Sequence, residues 1–296
     1  MATQNERSGR STASKWLIGC GIGCGVAIIL AIILGVSGFF FVRNIVQGFK
    51  ETETLMDTIT ERYGRVEEFC PDPEGIIKRD RLEAFLFVRR AMAPAGAELE
   101  DSMNILSYDR REEEFREGPA PSTLTKIKTG FRLVSQIAEF YRSRNQALLD
   151  TEMGLGEYYF IYVVSYFSWL GKSPADGPPF QLVSDEGEGR SIIYRRRRQE
   201  TQEDRMDFMV KRLHRQILPM LQNQYEKLTE SDISGAQESW QKQLKAEIEA
   251  LESDRFRLPW QDGLPKALKF SLEPFRTRLE ASYKTLLNPL EIVIEQ

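Results

Sequence analysis

One histidine and three cysteines among 296 residues leave little for metal or nucleophilic chemistry. A lone His214 excludes a histidine-rich metal centre. Cys20, Cys24 and Cys70 are too few for a cysteine-cage zinc site or a multi-disulfide framework, so no metal site is expected. Acyl transfer by serine or cysteine needs a base beside the nucleophile, usually histidine. His214 stands among Lys211, Arg212 and Arg215, where positive neighbours favour the neutral ring, and a solvated surface position is expected. The chain has no Walker A loop, no strand-borne GxGxxG, no HExxH and no EF-hand spacing, and no cofactor is implied.

A basic excess is missing as well. Setting aside Arg7, Arg10, Lys15 and Glu6 leaves 37 basic and 43 acidic residues from Arg43 onward, a net charge of −6. Such a surface repels phosphate, which excludes nonspecific nucleic-acid binding.

The third absence is of charge along one stretch. Residues 16–42 carry none, a run longer than the roughly 20 apolar residues that cross a bilayer core. It predicts a single transmembrane helix with the bilayer as its partner, Trp16 and Phe39, Phe40 and Phe41 lying near the two interfaces. Two processing readings compete. Leu17, Ile18, Gly19 and Cys20 look like a lipoprotein box, but the apolar run follows the cysteine instead of preceding it. Cleavage after Gly38 suits a signal peptide better, though the run is long for one. Arg7, Arg10 and Lys15 before the span, against Arg43 and Lys50 after it, favour a cytoplasmic N-terminus and a periplasmic or extracellular C-terminal domain. A bacterial origin is expected. Gly19, Gly23, Ala27, Ala31 and Gly35 recur every four residues, the spacing that lets two transmembrane helices approach closely, and they predict a homodimer contact.

Beyond the span the periodicity is helical nearly throughout, and the expected fold is all-α: a transmembrane helix, a stalk and a helical-bundle ectodomain. The segments are a basic tail 1–15, the span 16–42, a juxtamembrane stalk 43–63, a first bundle half 64–170, a flexible linker or lid 171–189 and a second half 190–296. Leu82, Phe85, Leu86, Val88 and Met92 predict a helix stopping before Pro94, followed by a separate polar helix. Ser122 is a candidate N-cap for a long amphipathic helix. Residues 158–170 are apolar or aromatic on almost every side, which predicts a buried central helix. Pro219 is expected to bend one later helix and Pro274 to interrupt the last. Trp240, Leu244, Ile248 and Leu251 form a stripe that leaves Gln243, Lys245 and Glu247 facing water. Leu290, Ile292 and Ile294 alternate as a short extended strand would.

Three features invite functional readings. Glu157, between glycines and the aromatic run, is the one candidate catalytic acid; the competing reading is a first-turn acid paired with Arg132 or Arg142. Tyr158, Tyr162, Tyr166 and Trp169 would line an apolar pocket in a ligand-binding module. The four arginines at 195–198 point round a helix instead of forming one face, and Asp185, Glu186 and Glu188 read as a flexible acidic loop rather than a calcium site. The reading that covers most of the chain is a membrane-anchored helical protein with a scaffolding, assembly or sensing role through an unidentified protein partner. The alternatives are a tethered envelope hydrolase using Glu157 and an apolar-ligand module.

Overall fold

The computed structural model describes residues 50–107, 122–177 and 201–292. The run 16–42 with Gly19, Gly23, Ala27, Ala31 and Gly35, the acidic loop and the 195–198 arginines lie outside them. Among the described residues no helix is long and apolar enough to cross a membrane, and all regular structure is helical.

Helix α1 (50–63) opens the described fold. It is not a free stalk. Ile59 is fully buried in the common core. The Thr52 hydroxyl donates to the Ala138 carbonyl, and the Asn145 side-chain amide donates back to the Thr52 carbonyl.

α2 (Arg79–Ser107) runs unbroken through Pro94, where the sequence predicts two helices. A proline inside a helix costs about 3 kcal/mol because the carbonyl four residues back loses its donor. Here that carbonyl belongs to Arg90, and both Arg90 and Pro94 are exposed, so water replaces the missing N–H. Core contacts on either side hold the helix together: Leu82, Phe85 and Met92 before the proline, Leu99 and Met103 after it, are at most 2% exposed. α2 packs along α3 (Thr123–Asp150) in the most extensive helix pair of the fold. Ser122 caps α3 as expected, its Oγ accepting the Thr125 N–H at 3.2 Å.

α4 (Leu155–Tyr162) passes without a break into a π-helical segment, Val163–Trp169. It is buried on every side, as its composition predicts. α5 (Gln202–Thr229) contains Pro219 and remains one helix. α6 (Ala236–Ser253) packs on α5. Pro274 does interrupt the next unit: α7 (Lys266–Leu272) ends at a 3-10 turn, Glu273–Phe275, before α8 (Arg276–Ser282). The alternation at 290–294 is not a strand in its described part, since α9 (Asn288–Ile292) is helical, and every residue of it is buried. A strand there would have no neighbour to pair with, whereas a helix satisfies its own backbone groups.

The first and second halves share one hydrophobic core, in which Phe160 meets Trp260 edge-on with 6.2 Å between ring centroids. The start of the expected linker is also part of the fold. Residues 171–177 are held by the Asn288 amide, which donates to the carbonyls of Pro174 and Asp176, and by Arg205, which donates to those of Ala175 and Gly177.

Candidate functional site

The aromatic residues predicted to line a pocket are built into the core instead. On α4 and its π extension, Tyr158, Tyr162 and Tyr166 follow one another at four-residue spacing and are each at most 1% exposed. Their hydroxyls are all engaged. Tyr158 accepts from Arg89 Nη1 at 3.0 Å and donates to Glu291 Oε2 at 3.0 Å. Tyr162 donates to Asn288 Oδ1 at 2.9 Å, and Tyr166 shares a 2.7 Å bond with Ser282. Trp169 is half-buried, with the Arg276 guanidinium 4.3 Å above its ring.

At the centre of this cluster Arg89 and Glu291 form an ion pair, their side chains 4% and 1% exposed. The guanidinium lies 5.4 and 5.8 Å from the Tyr162 and Tyr166 ring centroids and donates through Nη2 to the Ser282 carbonyl at 2.8 Å. Burial alone would push the Arg89 pKa down, but Tyr158, Glu291 and the neighbouring tyrosines outweigh it and hold the pKa well above its ordinary value. Desolvation pushes the three tyrosines up, so they stay protonated donors. This network ties α2, α4, α8 and α9 into one unit. Sequence reading missed it, although a signal exists: Arg89 occupies a core position, seven residues after Leu82 in an otherwise apolar stripe.

Glu157 is committed to an arginine other than the two expected. Arg81, in the first turn of α2, grips it with Nε at 2.7 Å and Nη2 at 2.6 Å, and also donates to the carbonyls of Thr151 and Glu152. Arg142 pairs one turn back with Glu139, and Arg132 is exposed. The nearer partner on the same helix wins Arg142, whereas Arg81 is brought to Glu157 by the packing of α2 against the α3–α4 connection.

Two other residues expected at the surface are inside. His214 is 9% exposed, and its Nε2–H donates to the Arg257 carbonyl. Glu247, 7% exposed, accepts the Trp260 N–H at 2.6 Å and lies 3.7 Å from Arg257. Burial raises the Glu247 pKa above the ordinary glutamate value, and the Trp260 N–H and Arg257 offset this only in part. A carboxyl whose pKa rises on folding contributes stability below about 4.5, the ordinary glutamate value, and loses it as pH climbs through the raised value. Glu247→Gln keeps the acceptor for Trp260 and removes the titration. Thermal melts should therefore show the variant as stable as the parent or more so at neutral pH, with a flatter decline as pH rises above about 4.5. A parallel slope would refute this account.

Among the described residues, two half-open grooves lie beside α2. The first, about 520 Å³, runs between α2 and the segment from α8 to the 3-10 turn Thr285–Leu287; Leu86, Met92, Ala93, Ala97, Phe140 and Leu287 supply its apolar lining. The second, about 890 Å³, lies between the start of α2 and α7, where Phe270 is 83% exposed. They meet at Arg278, which lines both and is held by Glu83 in a two-point pair at 2.7 and 2.8 Å. Lys78, Arg79, Arg89, Arg90, Lys266, Arg278 and Lys284 line the two grooves, against only Glu83 and Glu100. In a chain of net charge −4 this is a marked local reversal of sign. Among the described residues no group of acids, cysteines or histidine is placed to hold a metal ion.

Comparison with protein-family models, with curated proteins and with solved structures finds no match.

Proposed function

We propose that this chain is a single-pass membrane protein whose helical domain works by docking to another protein, in a scaffolding, assembly or sensing role. The charge-free run 16–42 supports the anchor, and Arg7, Arg10 and Lys15 before it support a cytoplasmic N-terminus with the bundle on the periplasmic or extracellular side. Gly19, Gly23, Ala27, Ala31 and Gly35 support a homodimer contact within the membrane.

The observation that carries the docking reading is Phe270. A single exposed aromatic is ordinary, but this one stands over a groove rimmed by Lys78, Arg79, Lys266 and Arg278. An aromatic anchor within a polar rim is the arrangement of an interaction surface. Its complement is a protein face with an apolar hollow and an acidic border. The acids Glu157, Glu291 and Glu247 favour the same reading over hydrolysis, because each is tied to an internal partner.

A photo-crosslinking residue at position 270 of the full-length protein, in its host membrane, tests this directly. One adduct of defined mass is expected, lost when Lys266 and Arg278 are both changed to glutamate, with a residue at exposed Phe256 giving none. Equal labelling from both positions, or none from 270, would refute the docking face. Release of the chain from membranes by alkaline carbonate would refute the anchor.

A further inference from the structure

We infer that the 520 Å³ groove between α2 and α8 is a binding site for a single-chain anionic amphiphile, a long-chain carboxylate. This site adjoins the Phe270 face at Arg278 but carries a different chemistry.

The groove exists because α2 is pared to small residues where it faces α8. Ala93 and Ala97 are exposed along it, while buried Gly96 lets Leu287 close in as the floor, where a Cβ would stand 2.8 Å from Leu287 Cδ1. Its volume falls within the roughly 300 to 1,000 Å³ typical of small-molecule sites. The groove is also polarised along its length. Along α2, Arg89 and Arg90 stand at one end, where Ser282 is bonded to Arg89, and Gly96 and Ala97 at the other, where Leu287 lies against Gly96; Lys284 lines the groove as well. From Arg90 to Glu100, α2 rises about 15 Å, room for an extended acyl chain lying along the helix.

The polar end has an unmet donor. Arg89, 4% exposed, spends both terminal nitrogens on Glu291, Tyr158 and the Ser282 carbonyl, while its Nε–H has no acceptor. A buried donor left unpaired costs free energy, and a negative charge at this end of the groove, which Arg89 lines, offsets part of that cost. Arg90 and Lys284 add positive charge and take part in no ion pair among the described residues. Glu100, at the opposite end, disfavours a second anion there. One charge and one apolar tail is the ligand that fits: a neutral lipid leaves the charges of Arg90 and Lys284 unanswered, and a compact anion leaves the apolar trough unfilled.

The test uses the full chain in phosphatidylcholine nanodiscs, titrated with the fluorescent fatty acid cis-parinarate, with the signal of empty nanodiscs subtracted. One saturable site per chain is expected, with palmitate displacing the probe at least tenfold better than hexadecanol. Ala93→Trp and Ala97→Trp, each at an exposed position and checked by circular dichroism for an intact fold, should each weaken binding at least tenfold. Arg90→Gln with Lys284→Gln should weaken it severalfold. The inference fails if no saturation rises above empty nanodiscs, if both tryptophan variants bind as tightly as the parent, or if hexadecanol displaces as well as palmitate. None of these outcomes bears on crosslinking from position 270.

Discussion

Glu291→Ala is expected to lower the unfolding free energy of the full chain by about 3 to 5 kcal/mol, read from urea titration followed by tryptophan fluorescence. The reason lies in what remains. Arg89 would keep its charge in a site where its side chain is 4% exposed, with only tyrosine rings, the Tyr158 hydroxyl and the Ser282 carbonyl to stabilise it. Tyr158 would lose its carboxylate acceptor in the same step and keep only the Met92 sulfur. The pair itself is a different matter, because two charges taken out of water lose much of what their attraction returns. Arg89→Met combined with Glu291→Leu should therefore recover most of the loss. A single variant costing under about 1 kcal/mol would show that the network does not hold α2 to α9 as described.

Gly75→Ala should be a severely damaging change, at about 2 to 5 kcal/mol. Two costs combine. Gly75 has φ of +67°, which alanine adopts at a cost of about 1 to 2 kcal/mol. A Cβ there would also stand 2.3 Å from the Trp240 ring. That ring cannot yield easily: it is 2% exposed and stacked on Trp260 with centroids 6.0 Å apart. Overpacking of this kind adds about 1 to 3 kcal/mol. Gly171 provides the control, since its φ is +64° and nothing lies within 4 Å of the added carbon. Gly171→Ala should cost only the conformational part. Equal melting-temperature shifts in the two variants would mean that the Trp240 contact contributes nothing.

The long helices were legible because their apolar spacing is regular. Ser122 marks the start of α3 in sequence and caps it in the structure, and the unbroken aromatic run after Glu157 is the buried central helix. The errors fall where a local rule met a tertiary exception. Pro94 reads as a stop, but the helix on each side is anchored in the core and the orphaned carbonyl faces water. Glu247 reads as solvent-facing, yet it lies seven residues after Trp240, on the core side of α6, and Trp260 folds back to bond it. Residues 50–63 read as a stalk, but their partners on α3 are more than 80 positions away.

The candidate sites divide in the same way. The sequence drew attention to Glu157 and the tyrosines because acids and aromatics are conspicuous in a string of letters; three-dimensional packing assigned them to an ion pair and a hydrogen-bonded core. The grooves beside α2 gave no signal, since a trough made by Ala93, Gly96 and Ala97 is a shape left by small side chains and by where α8 lies.

Composition and periodicity alone determined that the described residues are helical and that the chain after residue 42 is acidic overall and poor in histidine and cysteine, because these follow from residue type and from repeats spanning a few turns. Tertiary structure alone decided which charges are neutralised and which stay open to a ligand. Pairing such as Arg89 with Glu291 joins residues 202 positions apart, and no local pattern encodes a contact made only when distant helices pack.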